Sequence, residues 1–350
     1  MHYASIACAS IAPSSSTLQT PQRYNRHATS TATINAPPPP NNRRDPHLIP
    51  RPPPLIIWHG LGDNYAADGL HTVGDLAEAI NPGTFTYYIR LDENPDSDKT
   101  ATFFGNLTAQ IAQVCADLAA HPILSTAPGV NALGFSQGGQ FLRGFVERCN
   151  VPPVKNLVTF GSQHNGISKY QICGATDWLC KTYIGLLKAN TWGAWVQSHL
   201  VPAQYFRATD DDTGEPTEEY LEHSNFLADI NNERELKNAT YAENLASLDR
   251  LVMYVFGDDT TVIPKESGWF AQTNGSSGEV TGLRDRKIYK EDWIGLKKLD
   301  EKGGLVFKTT EEGHMQLDDE VLTDVFKTYF SPEKASWNSP ADQAQEQLEL

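Results

Sequence analysis

Short apolar runs alternate with segments of helical apolar spacing between the two ends of this chain. Strands are predicted where four to seven apolar or β-branched residues stand together, and helices where apolar residues recur every three or four positions. The predicted strands are 55–58, 86–91, 130–133, 156–160, 251–256 and 305–307, and the predicted helices are 106–120, 141–149, 238–250 and 320–330. This alternation predicts an α/β fold with a mostly parallel central sheet covered by helices.

Three segments depart from this rhythm. Residues 1–52 are polar and rich in proline, so they are predicted to be disordered or extended, and residues 331–350 form a second polar tail. The catalytic domain is therefore expected to span residues 53–330. Within it, residues 165–250 combine an aromatic cluster with an acidic turn, and we interpret them as a largely helical insertion that lies over the sheet as a lid.

The strongest chemical signal is the pentapeptide Gly134-Phe135-Ser136-Gln137-Gly138, which stands between a predicted strand and a predicted helix. A serine at such a turn is typical of the nucleophile elbow of the α/β-hydrolase fold, in which small flanking residues permit the sharp turn. The helix that follows directs its N-terminal dipole towards the reacting centre. A chance Gly-Ser-Gly turn is the alternative interpretation. We predict that Ser136 is a nucleophile.

A serine nucleophile needs a base and an acid, which in this fold follow it along the chain in the order acid, then histidine. Asp258 and Asp259 come directly after predicted strand 251–256, and either could be the acid. His314 follows the last predicted strand and is the only histidine after this acid loop. We therefore predict His314 as the base, with a solvated loop histidine as the alternative.

The oxyanion formed during acyl transfer needs two backbone N–H donors. One is expected from Gln137, the residue after the nucleophile, and the other from Leu61 in the glycine-containing loop after the first strand. His59, at the end of that strand, is interpreted as structural rather than catalytic.

Charge and residue spacing exclude several classes of function. The formal net charge of -15 disfavours nucleic-acid binding. No run of 18 or more apolar residues occurs, so no transmembrane segment is predicted. The pair Gly60 and Gly62 lacks the third glycine of a dinucleotide site, and no metal-binding motif is present, so neither a cofactor nor a metal is expected.

Cysteines and sequons favour the secretory pathway. Four of the five cysteines lie inside the predicted domain. Three sequons offer the candidate glycosylation sites Asn106, Asn238 and Asn274. The N-terminal segment is ambiguous among a short signal peptide, an organellar transit segment and a mispredicted start.

Several longer segments resemble the lysosomal palmitoyl-protein thioesterase family, in order, across roughly residues 54–330. They are the opening strand and loop at 54–63, the elbow GFSQGGQFLR at 134–143, and segments 223–231 and 295–300. The last two have no catalytic rationale, and such matches separate this family from generic lipases. A family cysteine pair in the first loop is absent, and of the family's glycosylation sites only Asn238 can be placed.

The resemblance implies the α/β-hydrolase fold, an activity and particular residues. It implies hydrolysis of long-chain acyl thioesters on S-palmitoylated proteins or peptides, in the lysosome or vacuole or after secretion. It selects Asp259 rather than Asp258 as the acid, because Asp259-x-x-Val262-x-Pro264 is similar to the family's acid loop. It also implies disulfides, which are Cys115–Cys149 and Cys173–Cys180.

The sequence also leaves two other functions open. A lipase or carboxylesterase would act on oxygen esters with the same triad. A non-catalytic lipid-binding glycoprotein would keep the pocket alone, although it would not need serine, acid and histidine in this order.

Overall fold

A computed structural model of the chain describes residues 51–171, 178–211 and 213–332. The predicted tails, apart from the residues next to the domain, lie outside the described residues. So does the predicted disulfide between Cys173 and Cys180.

The described strands are β1 (Leu55–Trp58), β2 (Thr86–Tyr88), β3 (Val130–Phe135), β4 (Val154–Phe160), β5 (Arg250–Phe256), β6 (Gln272–Thr273), β7 (Val280–Thr281) and β8 (Leu305–Thr310). Six of them form the parallel central sheet, in the order β2-β1-β3-β4-β5-β8. A separate antiparallel pair is formed by β6 and β7.

Helices connect these strands and cover both faces of the sheet. They are α1 (Asp68–Ile80), α2 (Pro95–Ala101), α3 (Leu107–Ala120), α4 (Gln137–Arg148), α5 (Trp178–Ala189), α6 (Ala194–His199), α7 (Val201–Gln204), α8 (Glu218–His223), α9 (Leu227–Ile230), α10 (Ala239–Ala246), α11 (Lys287–Lys290), α12 (Leu296–Glu301) and α13 (Asp319–Thr328). The predicted α/β fold with a mostly parallel sheet covered by helices is thereby confirmed.

The apolar strands are buried on both sides, as parallel strands under two helical layers must be. In β1, Ile56 and Trp58 pack in the core beneath α3 and α4, whereas Leu55 and Ile57 pack in the core beneath α1 and α13. This two-sided burial explains why the strands read as continuous apolar runs.

The structure corrects several predicted boundaries. The predicted helix 238–250 ends at Ala246, because Arg250 already belongs to β5. The predicted helix 141–149 begins earlier, at Gln137, directly after the serine of the elbow. The second strand is only Thr86–Tyr88, and the final helix is Asp319–Thr328.

Helices α5–α10 lie between β4 and β5, where the sequence predicts the insertion. A buried ion pair holds this region together: Arg207 Nη2 lies 2.8 Å from Glu233 Oε1, and the hydroxyl of Tyr220 donates to the other carboxylate oxygen. Burial opposes ionisation of Glu233, but Arg207 and Arg286 outweigh it and lower the pKa of that carboxyl. Among the described helices, none is both long and apolar enough to cross a membrane.

Candidate active site

Ser136 stands at the turn between β3 and α4, at the carboxyl edge of the sheet. Its backbone has φ 51° and ψ −124°, a left-handed conformation that is costly for a residue with a side chain. Such strain is a feature of the nucleophile elbow, because it lifts the hydroxyl above the sheet. The residue itself is 9% exposed.

Glycines are required on both sides of this turn. A Cβ on Gly134 would overlap the backbone of Gly139, and a Cβ on Gly138 would overlap the carbonyl oxygens of Trp58 and His59. The elbow therefore packs directly against the end of β1. This contact is the physical reason for the two glycines of the pentapeptide.

The structure brings Ser136, His314 and Asp259 into one hydrogen-bonded chain. Ser136 Oγ lies 3.1 Å from His314 Nε2, and His314 Nδ1 lies 2.7 Å from Asp259 Oδ2. With Nδ1 protonated, the imidazole donates to the carboxylate and its Nε2 accepts from the serine hydroxyl. This is the arrangement that a general base for serine requires.

Backbone groups fix the carboxylate of Asp259. Its Oδ1 accepts from the N–H groups of Thr261 at 2.8 Å and Val262 at 2.9 Å, which leaves Oδ2 for the histidine. The Asp259 side chain is 1% exposed, whereas Asp258 is exposed to solvent. The geometry therefore favours Asp259 over its neighbour.

The two expected oxyanion donors belong to backbone that closely approaches the nucleophile. Gln137 is the first residue of α4, so its N–H has no partner within the helix. The N–H of Leu61 makes no hydrogen bond to any described residue. At the start of the loop, a Cβ on Gly60 would lie only 3.2 Å from Ser136 Cβ, so the loop and the elbow are in close contact.

A buried pair of side chains, His59 and Asp98, lies beside this loop. The sequence singles out His59 but not Asp98. His59 was expected to be structural, and the structure pairs its Nε2 with Asp98 Oδ2 at 3.0 Å. Asp98 also accepts from the backbone N–H groups of Tyr65 and Leu91, at 2.9 and 2.7 Å. No motif marks Asp98, because its role depends on a contact between residues 39 positions apart.

Contacts of Arg143 give a structural role to one of the two non-catalytic segments. This fully buried side chain of α4 donates to the carbonyl oxygens of His164 and Ile230 and to Asn231 Oδ1. Ile230 and Asn231 belong to segment 223–231. That segment therefore packs against and supports the helix that follows Ser136.

A cavity of about 1270 Å³ opens above Ser136 and His314. On the side of the insertion it is lined by apolar and aromatic side chains, which are Phe103, Ile167, Tyr183, Ile184, Tyr205 and Val262. Burial raises the pKa of Tyr183 and Tyr205 above the ordinary range, so both phenols stay neutral. The surface next to the nucleophile is therefore suited to a long apolar chain.

Other predicted positions lie away from the cavity. Cys115 and Cys149 form a disulfide that links α3 to the end of α4. The sequon asparagines Asn106 and Asn238 cap α3 and α10 through their side-chain oxygens, and Asn274 lies in the turn between β6 and β7. Within the described residues, no group of histidine, cysteine or acidic side chains could hold a metal ion.

Comparison with known proteins gives a consistent result. The sequence model of the family described as palmitoyl protein thioesterase matches residues 54–314. Palmitoyl-protein thioesterase 1 of Caenorhabditis elegans is 36% identical over 280 residues, which cover 79% of this chain and 91% of that protein. Palmitoyl-protein thioesterase 3 of Dictyostelium discoideum is 33% identical over 285 residues, which cover 81% of this chain and 91% of that protein.

More distant similarities were also found. The human lysosomal thioesterase PPT2 is 28% identical over 262 residues, which cover 72% of this chain and 78% of that protein. Among solved structures, the thioesterase domain from the curacin biosynthetic pathway matches with a TM-score of 0.37 at 11% identity. The match covers 79% of this chain and 91% of that domain.

Proposed function

This chain belongs to the palmitoyl-protein thioesterase family, and we propose that it hydrolyses palmitoyl thioesters of protein cysteines through an acyl intermediate on Ser136. The observation that carries the proposal is the chain of hydrogen bonds from Asp259 through His314 to Ser136, which opens into a large apolar cavity. The substrates are S-palmitoylated proteins or peptides, and no cofactor takes part.

Acylation begins at the serine hydroxyl. Ser136 Oγ attacks the thioester carbonyl carbon while its proton passes to His314 Nε2, and Asp259 stabilises the imidazolium that forms. The N–H groups of Leu61 and Gln137 hold the negative oxygen of the tetrahedral intermediate, an interaction of about 2.7–4 kcal/mol per donor. The C–S bond then breaks, and the cysteine sulfur takes the proton from His314.

Deacylation repeats these steps with water. His314 removes a proton from a water molecule that attacks the acyl carbon. The bond between that carbon and Ser136 Oγ then breaks, Oγ takes the proton back from His314, and palmitate is released. The leaving thiol of cysteine has a pKa of about 8.5, so a thiolate departs more readily than an alkoxide. This difference favours thioesters in the acylation step.

The acyl chain is assigned to the insertion side of the cavity. There the lining is apolar and aromatic, and burial of alkyl surface contributes roughly 25 cal/mol per Å². A long chain gains more from this surface than a short one, which supports a substrate with a long acyl group. We accordingly propose residues 53–330 as the catalytic domain and residues 165–250 as its lid.

The test is a comparison of two matched substrates. Hydrolysis of a palmitoyl-cysteine thioester and of its oxygen-ester counterpart would be measured with wild type and Ser136→Ala. We expect thioester turnover that exceeds ester turnover and disappears in Ser136→Ala. A reversed preference that still needs Ser136 would make the protein a lipase or carboxylesterase, and unchanged turnover in Ser136→Ala would overturn the assignment of the nucleophile. Failure of a fluorophosphonate probe to label Ser136 would favour a lipid-binding protein.

Location and modification are proposed on related grounds. One relative is named a lysosomal thioesterase, and we propose a lysosomal, vacuolar or secreted location for this chain. The disulfide between Cys115 and Cys149 supports an oxidising compartment. Of the candidate glycosylation sites, Asn238 is exposed, whereas Asn106 and Asn274 are partly buried. Loss of a mass shift on glycosidase treatment of Asn238→Gln would test that site.

A further inference from the structure

The catalytic cavity has a second apolar region on the side opposite the insertion. It lies between α1 and α13 and is lined by Leu70, Val73, Leu76, Met315, Leu317 and Leu322. We call these six residues the α1–α13 groove. Leu70 and Leu322 belong to the buried core, and the other four are partly exposed. The groove is continuous with the cavity that contains Ser136, yet the acyl chain assigned above does not use it.

The position of the base decides which part of the substrate faces this groove. A thioester carbonyl carbon bound at Ser136 carries two substituents, the acyl chain and the sulfur of the cysteine. The sulfur must lie near His314 Nε2, because the same nitrogen that accepts the serine proton returns it to the leaving group. Met315 follows His314 directly, Leu317 is three residues after it, and both line the groove. The groove therefore extends from the site of the leaving group.

The carboxylates and the absence of lysine and arginine make the charge of the described cavity lining negative. Two carboxylates line the cavity: Asp319 at the start of α13, beside the groove, and Asp63 on the loop after β1. Among the described lining residues there is no lysine or arginine, and neither carboxylate has an ion-pair partner among the described residues. An apolar surface with carboxylates at its edge suits a peptide that carries both apolar and basic side chains.

We propose that the α1–α13 groove is the leaving-group subsite of the enzyme. It holds the residues that flank the acylated cysteine, and it favours flanks that combine apolar residues with lysine or arginine. This inference rests on the proposed thioesterase function. A lipid anchor next to a basic segment is a common combination at membrane surfaces, and flanks of this kind carry the charge that the groove complements.

The first test uses the wild-type enzyme and four palmitoyl substrates. Three are cysteine peptides of equal length with leucine beside the cysteine and, further out, two lysines, two glutamates or two serines. The fourth is S-palmitoyl-N-acetylcysteine amide, which has no flanks. We expect kcat/KM to be highest for the lysine peptide and about two- to fivefold lower for the glutamate peptide, as for exposed charge pairs. The difference should shrink in salt of about 0.5 M, where exposed charges are screened.

The second test changes the groove. Asp319→Asn should lower the ratio of kcat/KM for the lysine peptide to that for the glutamate peptide, towards one. Val73→Gln should lower kcat/KM for the leucine-containing peptides relative to the substrate without flanks. Glu78→Gln is the matched control, because this exposed carboxylate of α1 does not line the cavity. It should leave both ratios unchanged.

Three outcomes distinguish failure of the proposed subsite from failure of the proposed function. Equal rates for the lysine and glutamate peptides, with the palmitoyl group removed from both, would overturn the subsite and leave the thioesterase intact. The same would hold if Asp319→Asn changed the ratio no more than Glu78→Gln does. Absence of turnover on all four substrates would overturn the proposed function and the subsite with it. The wild-type comparison does not depend on the folding of any variant.

Discussion

His59 Nε2 lies 3.0 Å from Asp98 Oδ2, and both side chains are buried, at 1% and 0% exposure. Burial opposes ionisation of Asp98, but hydrogen bonds from His59, Leu91 and Tyr65 outweigh it and hold the pKa of that carboxyl below its usual range. His59 directly precedes Gly60 and Leu61. The ionised carboxylate therefore fixes the backbone from which one oxyanion donor is expected.

Removing this charge should slow the chemistry. In Asp98→Asn the amide retains an acceptor oxygen but loses the charge that holds His59. A displaced oxyanion loop weakens a contact made in the transition state, so we expect kcat to fall about 10- to 100-fold with little change in KM. Steady-state kinetics on a palmitoyl thioester would measure both constants.

The matched control is Asp96→Asn, on the same helix but exposed. It should leave kcat unchanged. A lower melting temperature of Asp98→Asn with an unaltered kcat would mean that the pair only stabilises the fold.

The adjacent acids Asp258 and Asp259 should differ sharply in their effect on turnover. Asp259→Asn leaves a side chain that favours the wrong tautomer of His314, and we expect kcat to fall about ten-thousandfold. Asp258→Asn changes an exposed side chain that does not contact the histidine in this structure and should stay within twofold of wild type. A comparable loss in both variants would contradict the assignment of Asp259.

The central site could be predicted from the sequence because its parts are local or ordered along the chain. The elbow is a five-residue pattern whose glycines are required by direct backbone contacts. The order of strands then leads to the acid loop and to His314. Sequence reasoning about residue types alone left Asp258 and Asp259 equivalent, and their difference in burial separates them only in the folded chain.

Asp98 and Arg143 show what the sequence cannot supply. Each acts through partners distant along the chain: Asp98 through His59, and Arg143 through Ile230 and Asn231. Their burial depends on how helices pack over the sheet, and no local pattern encodes it. The end of the helix predicted at 238–250 was wrong for a similar reason, since pairing of β5 with its neighbours extends the strand to Arg250.

The disulfide between Cys115 and Cys149 should stabilise the folded domain. It closes a loop of 34 residues, for which the loop-entropy relation gives about 3–4 kcal/mol. The double variant Cys115→Ala/Cys149→Ala should lose about this much free energy of unfolding, measured by urea denaturation. Both proteins are compared without reductant, because reductant would also break the disulfide predicted between Cys173 and Cys180. Equal denaturation midpoints for the two proteins would contradict a stabilising role.

Glu147 gives the last prediction, which concerns pH. This carboxyl is fully buried on α4, and burial raises its pKa to about 7, although Arg143 at 2.8 Å acts in the opposite direction. Its Oε2 has no hydrogen-bond partner among the described residues, so the negative charge is poorly solvated. Nearby His164 is also buried, and its lowered pKa makes it resist protonation in acid.

Glu147 and His164 change the free energy of unfolding in opposite directions as pH falls. Between about 7 and the unfolded value of 4.5, Glu147 binds a proton more readily in the folded chain, so its contribution to stability rises as pH falls. Burial lowers the pKa of His164, so this side chain binds a proton more readily when unfolded and lowers stability as the pH falls below about 6.5, the ordinary pKa of histidine. The free energy of unfolding of wild type minus that of Glu147→Gln isolates the first effect. We expect this difference to increase steadily from about pH 7 to about pH 4.5 and then to level off, whereas subtraction of exposed Glu243→Gln should give no such rise. A difference that is flat across this range would show that Glu147 stays ionised beside Arg143.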